Sequence, residues 1–292
     1  MRQTTLTRHL TIDRRQHKNG VDKLVNLLQN EEELAFHAII PHGNILKCIS
    51  ELLMRCAPHV SLTIQTTGIS FLACDPTGGR LIHINITNGD MHSFSYRRST
   101  QMRCVLESSS LHAVFHQLKR RDMVVLYGTT SGQFGSLVDY SGRQDHTKHS
   151  TIATHQASQL LDYNIPSGYR TNGVAVPSGI LQRILREYKN LSKRIIVTGN
   201  DRYIHIQTDA RVSLHRSDNL FGTLEPKEDD VSIELSINTL ARILKVTQFH
   251  PWVDIVCESG QPVRLKTQLG AHGSFVDVYI QPDNAGTTNA SN

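Results

Sequence analysis

Two sequence patterns from the first half of the chain recur in the second half at constant displacements. The segment Pro41-His42-Gly43 and the apolar residues after it recur 136 positions later, beginning at Pro177-Ser178-Gly179. A second set of four apolar residues recurs at a displacement of 129: Leu106, Leu111, Val114 and Phe115, matched by Leu235, Leu240, Ile243 and Leu244. Each set opens a predicted helix, whose apolar residues have the spacing of one helix face. The sequence therefore predicts an internal duplication.

The segment 160–184 contains two prolines and three glycines, and its part at 165–173 lies between the two copies, which is typical of a connector. We predict a flexible basic arm at 1–35, a first domain at 36–158, the connector at 159–173, a second domain at 174–283 and a disordered tail at 284–292. The pattern predicts an α+β fold of many short strands, the first at 36–40, and four helices at about 44–57, 109–121, 180–194 and 238–248.

The predicted helices carry an unequal distribution of charge. They contain twelve basic residues against two acidic ones, Glu51 and Glu187. A helix with an apolar face and a cationic face buries the first and exposes the second. Phosphate contact without base reading is the natural use of such a surface, and the alternative is a set of solvated helix faces neutralised by loops. The net charge of +5 also favours a polyanionic partner.

Other classes of protein find little support in the sequence. The chain has no apolar run of membrane-spanning length, and its five cysteines form no CxxC pair, which favours reduced thiols in an intracellular protein. Asp145-His146 with His149 is the best histidine cluster but lacks a third ligand at zinc-finger spacing. No catalytic site, metal site or cofactor is therefore predicted. A histidine-dependent metalloenzyme remains an alternative that metal determination would test.

Four motifs in order resemble the DNA sliding clamps of the proliferating cell nuclear antigen type. The likeness extends from about Phe36 to Pro282. Residues 36–47 resemble the first strand and first ring-lining helix of that family, and residues 68–75 resemble its strand ending in "M-D". Asn164-Ile165-Pro166 with Pro177-Ser178-Gly179 is similar to the interdomain connector and the next helix start. Tyr279-Ile280-Gln281-Pro282 resembles its C-terminal "Y-L-A-P".

The resemblance implies two domains of identical topology, with antiparallel sheets outside and four helices lining an inner face. It also implies a homotrimeric ring that encircles duplex DNA, without sequence specificity, and tethers DNA polymerase and other replication or repair proteins through short peptides. The implied DNA-binding residues are Lys47, Lys119, Arg120, Arg183, Arg186, Lys189, Arg242 and Lys245. The implied partner-peptide pocket consists of Cys74, Tyr163, Ile165, Pro166, Pro262, Tyr279, Ile280 and Pro282.

The chain also departs from that family. It is basic where cellular clamps are acidic, Gly78-Gly79 replaces larger pocket residues, and Arg170 replaces an aromatic residue. These features suggest a diverged, viral clamp acting in the nucleus or a viral replication compartment. The alternatives are a subunit of a checkpoint-type or transcription-associated clamp, or a loader-independent factor like those of herpesviruses. For a homotrimer, we expect joints between edge strands near 147–153 and 211–217.

Overall fold

The computed structural model describes residues 34–139, 147–152, 154–155, 163–170, 173–189, 192–199, 202–208, 212–216 and 231–282. Apart from its last two residues, the basic arm predicted at 1–35 lies outside this part of the chain, as does the tail predicted at 284–292. The described residues form an α+β fold, as the sequence predicts, and every strand pairing among them is antiparallel.

The described elements are helices α1 (Gly43–Cys56), α2 (Ser108–Phe115), α3 (Ser178–Tyr188) and α4 (Ile237–Ile243), with short 3-10 helices at Asn88–Asp90 and Leu244–Gln248. The strands up to the connector are β1 (Leu34–Ile40), β2 (His59–Gln65), β3 (Gly68–Cys74), β4 (Arg80–Thr87), β5 (Ser93–Tyr96), β6 (Met102–Glu107), β7 (Met123–Thr129), β8 (Phe134–Asp139), β9 (Thr147–Ile152) and β10 (Thr154–His155). The later strands are β11 (Val174–Pro177), β12 (Arg194–Gly199), β13 (Tyr203–Gln207), β14 (Val212–Arg216), β15 (Val231–Ser236), β16 (Trp252–Val256), β17 (Val263–Gln268) and β18 (Phe275–Ile280).

These strands form three sheets. The largest has nine strands in the order β10-β6-β2-β3-β4-β18-β17-β16-β11, so the β4–β18 pairing joins the first half of the chain to the second. A five-stranded sheet has the order β5-β1-β7-β8-β9, and a four-stranded sheet has the order β14-β13-β12-β15. Except for β5 and β10, the strands on either side of the connector follow one scheme: β6-β2-β3-β4 corresponds to β15-β12-β13-β14, and β1-β7-β8-β9 to β11-β16-β17-β18.

Amphipathic sequence determines how the helices pack. On α1 the apolar side chains of Leu46, Ile49, Leu52 and Leu53 are buried, and on α3 those of Leu181, Ile184 and Leu185 are buried with Tyr188. Burial of each such side chain contributes about 1.5–3 kcal/mol to folding. Residues from both halves of the chain belong to one contiguous core.

Two helices end earlier than the apolar spacing predicts, and the helix predicted at 238–248 is α-helical only to Ile243 and continues as a 3-10 helix to Gln248. Helix α2 ends at Phe115, not at 121, because the amide of Lys119 donates to the Asp122 carboxylate (2.6 Å) and the chain turns back toward β7. Leu118 is still buried, but by the turn and not by a helix. Helix α3 ends at Tyr188, not at 194, because Arg194 already pairs with Ser236 in the sheet. The basic residues at 119–121, 193 and 194 therefore do not lie on helices.

Candidate nucleic-acid interface and partner cleft

The four helices form one contiguous layer, which we call the helical layer. Helix α2 packs on α1, α1 packs on α4 and on the 3-10 helix after it, and both of these pack on α3. Polar contacts join the parts: Gln182 on α3 donates to Thr247 (2.6 Å), and the thiol of Cys48 on α1 contacts Gln248 (3.6 Å). Helices far apart in the sequence thus pack side by side.

The helical layer and its margin expose most of the cations that the sequence predicts to contact DNA. Arg183, Arg186 and Arg242 are exposed on α3 and α4, and none of them has an ion-pair partner among the described residues. Lys189 is exposed at the end of α3 and Lys47 is half-buried on α1. Two more, Lys119 and Arg120, are exposed in the turn after α2.

Lys245 differs from these cations because a carboxylate holds it. Its ammonium group forms an ion pair with Glu51 on α1, and the two side chains are only 19% and 16% exposed. The same ammonium group donates to Gln248 (3.2 Å). Burial alone would raise the pKa of Glu51, but the hydrogen bond and charge of Lys245, with the charges of Lys47 and His112, lower it.

A small cleft of about 130 Å³ lies where the connector crosses the ends of β3, β4 and β18. Four of the predicted pocket residues line it: Cys74, Tyr163, Pro166 and Tyr279. Gly78, which the sequence analysis places at a pocket position, also lines it, and so do three residues that sequence reasoning missed: Leu81, Asn164 and Gln281.

The other predicted pocket residues lie elsewhere. Ile280 is 1% exposed and belongs to the core, whereas Ile165 is 38% exposed on the connector. Pro262 is buried and Pro282 is half-buried, and neither lines the cleft. Since strand side chains alternate between faces, Tyr279 and Ile280 cannot both face the cleft. That alternation groups Tyr279 with Gln281, and the structure shows that this pair faces the cleft.

A buried ion pair holds the β3–β4 turn, whose Gly78 lines the cleft. The guanidinium of Arg80 contacts the Asp75 carboxylate at 2.6 Å, and Asp75 also accepts from the Gly79 amide and the Thr77 hydroxyl (both 2.9 Å). Burial would raise the pKa of Asp75, but these bonds and the charge of Arg80 lower it. The amide of Gln281 donates to the Gly79 carbonyl (2.9 Å), which fixes the turn to the end of β18.

The connector is attached to the second half of the chain by polar contacts. Tyr169 donates its hydroxyl to the Pro262 carbonyl (2.8 Å), and the Arg170 amide donates to the Glu258 carboxylate (2.9 Å). Arg264 lies 5.5 Å from the ring centroid of Tyr169 and 5.8 Å from that of Tyr279. Burial, with the nearby Asp277 carboxylate, raises the pKa of Tyr279 to about 12. The cleft is therefore preformed in the free chain.

The two strands expected at subunit joints are both edge strands. In the described sheets, β9 is the last strand of the five-stranded sheet and β14 is the first strand of the four-stranded sheet. The backbone of an edge strand has donors and acceptors on one side that its own sheet does not use. Ala153, at the end of the first predicted segment, lies outside the described residues, as do Arg211 and Ser217 at the ends of the second.

The histidine cluster considered for a metal is only partly described. Asp145 and His146 lie outside the described residues, and the imidazole of His149 contacts the Tyr127 hydroxyl. Among the residues that the structure describes, no group of three or more His, Cys, Asp or Glu side chains is placed to hold a metal ion. In the same part of the chain, no helix has the length and apolar character needed to cross a membrane.

Comparison with known proteins points to the same class as the motifs. No family model matches the chain. It is 20% identical over 268 residues to a protein of Paramecium bursaria Chlorella virus 1 described as "Probable DNA polymerase sliding clamp 1", covering 84% of this chain and 96% of that protein. This distant likeness supports a sliding-clamp role at the level of the family.

Proposed function

We propose that this chain is a DNA sliding clamp of the proliferating cell nuclear antigen type, which acts as a processivity factor for DNA polymerase. Three copies form a ring around duplex DNA. The observation that carries this proposal is the helical layer, in which helices from both halves of the chain pack together and carry exposed cations. Such a surface binds phosphates without reading bases, which a protein that slides along DNA requires.

The chain consists, in this proposal, of two repeated domains on either side of the connector. The matching strand orders support this, as do the starts of β6 and β15, at Met102 and Val231, which are 129 positions apart. The starts of α2 and α4, at Ser108 and Ile237, are also 129 positions apart. A duplication of one domain explains why the same displacement holds for a strand and for the helix after it.

The ring closes, in this proposal, by pairing β9 of one subunit with β14 of the next. Both are edge strands, so the pairing would extend a five-stranded sheet into a four-stranded one through backbone hydrogen bonds. A head-to-tail contact of this kind uses two different surfaces of each subunit and generates a ring when the rotation closes.

DNA polymerase and other replication or repair proteins dock, in this proposal, through short peptides at the cleft beneath the connector. A cleft of about 130 Å³ has room for side-chain anchors but not for the body of a helix. Buried anchors supply most of the energy in such interfaces. The chain is thus proposed as a binding protein without chemistry, acting in the nucleus or a viral replication compartment.

The net charge of +5 favours a second candidate, a processivity factor that holds DNA electrostatically without a loader. A subunit of a checkpoint-type or transcription-associated hetero-ring is a third candidate with the same fold. The molecular mass of the purified chain separates the hetero-ring from the homotrimer. Loading on closed circular DNA without a loader separates the second candidate from the first.

Retention on circular DNA tests the proposed function. Protein loaded on a nicked plasmid, with a loader where one is needed, is washed at moderate salt, and the plasmid is then linearised. We expect the protein to stay on the circle and to leave once DNA ends are available, because a ring is linked to DNA by topology. Equal loss from circular and linear DNA would contradict encirclement.

A further inference from the structure

Glu51 occupies a position on the helical layer that the proposed function does not explain. It is the only acidic residue of α1, and it faces two lysines and a histidine from three elements. Lys47 lies one turn earlier on α1, Lys245 approaches from the 3-10 helix after α4, and His112 approaches from α2. A carboxylate in the middle of a surface that binds phosphate acts against that binding.

The contact between Glu51 and Lys245 is close and partly shielded from water. The carboxylate and the ammonium group form a direct ion pair, and both side chains are less than one-fifth exposed. Screening by solvent and salt is weaker for such a pair than for one on an open surface. A DNA phosphate that approaches Lys245 must therefore displace Glu51, whereas one that approaches Arg183 or Arg242 displaces no carboxylate of the described residues.

We propose that Glu51 is an internal competitor for DNA phosphate, which occupies Lys245 and limits the affinity of the helical layer for duplex DNA. This inference rests on the proposed function, since it assigns a regulating residue to the same surface. The resemblance places Lys245 among the DNA-binding residues, but under this proposal Lys245 contacts no DNA phosphate in the wild-type chain. Its contribution appears only when Glu51 is removed.

A cycle of substitutions tests this inference. The variants are Glu51→Gln, Lys245→Gln and the double variant, with Glu51→Ala as a second form that also removes the oxygen acceptor. Glu234→Gln is the matched control, because Glu234 pairs with Arg194 (2.8 Å) on the β15–β12 sheet and its loss changes the net charge by the same amount. For each variant, binding to one duplex is measured at several salt concentrations, and thermal melting checks the fold.

We expect Glu51→Gln to bind more tightly than wild type and to steepen the slope of log affinity against log salt by about 0.9, the value for one added phosphate contact. Its advantage over wild type should then shrink about threefold between roughly 50 and 200 mM salt. Lys245→Gln alone should leave the salt slope nearly unchanged, because Lys245 contacts no phosphate in the wild-type chain, and it should remove the gain in the Glu51→Gln background. Glu234→Gln should leave the salt slope unchanged.

Three results would overturn the inference. The first is an unchanged slope in both Glu51 variants. The second is a gain that persists without Lys245, and the third is an equal gain in the control. Any of these three results can occur while the Arg183→Ala, Arg186→Ala variant still shows a flatter salt slope than wild type. In that case the inference about Glu51 fails and the proposed function stands. If wild type shows no salt-dependent binding to DNA, the proposed function fails first and this inference fails with it.

Discussion

Leu81 on β4 lies directly opposite Tyr279 on β18, and both side chains line the cleft beneath the connector. This pair belongs to the only strand pairing that joins the two halves of the chain within the described nine-stranded sheet. The cleft is thus built where the halves meet. A partner bound there contacts residues from both halves and from the connector between them.

Replacement of Tyr163 with alanine should weaken the docking of a partner peptide. Tyr163 lines the cleft and is half-buried, and removal of a buried aromatic side chain from an interface costs at least about 1 kcal/mol, or roughly a fivefold reduction in affinity. Stimulation of the polymerase measures the effect. The matched control is Ile165→Ala, an exposed residue of the same connector that does not line the cleft. An equal or greater effect in the control would place the docking site elsewhere.

Replacement of Ile280 with serine should damage the fold and not the cleft. Its side chain is 1% exposed within the core, so truncation should lower the free energy of unfolding by about 2–5 kcal/mol. Denaturation by urea measures this change. Ile165→Ser should change stability by less than about 0.5 kcal/mol, because that side chain is exposed. Similar stabilities for the two variants would contradict the burial of Ile280.

The sequence predicts the elements of this fold better than it predicts the contacts between them. The strand predicted at 36–40 begins only two residues early, at Leu34, because a buried strand has a local apolar pattern. The predicted end of α2 was wrong because Leu118 has helical spacing but is buried by a turn. Leu81 was missed because its place in the cleft depends on the β4–β18 register. The Glu51–Lys245 pair was missed for the same reason, since it depends on how α1 meets a distant helix.

Acid should destabilise the chain partly through Asp75. The pKa of Asp75 is lower in the folded chain than in the unfolded chain. Its contribution to stability is therefore present above the unfolded pKa and is lost as pH falls through the folded pKa. That loss falls below about pH 4. Asp75→Asn should flatten the dependence of unfolding free energy on pH in that range. It should also cost about 3–5 kcal/mol at neutral pH, because the buried Arg80 loses its partner. A variant with the wild-type pH dependence would show that the pair does not act in this way.

The purified chain should be a trimer. The proposed joint consists of backbone pairing between β9 and β14, which moderate salt does not screen, so the mass should be that of three chains at both low and moderate salt. Light scattering at micromolar concentration measures it. A monomer under both conditions, with and without DNA, would favour a hetero-ring in which another subunit supplies the missing edge.

The central claim is that the helical layer faces DNA. The most direct test is a salt titration of DNA binding by the wild type and by the Arg183→Ala, Arg186→Ala double variant. Each protein is titrated on two duplexes of unrelated sequence. Both guanidinium groups are exposed, so stability should change by less than about 0.5 kcal/mol per substitution. We expect equal weakening on both duplexes and a slope of log affinity against log salt that is flatter by about 0.9 for each phosphate that the variant no longer neutralises. Coincident slopes, or a weakening that depends on sequence, would contradict the claim.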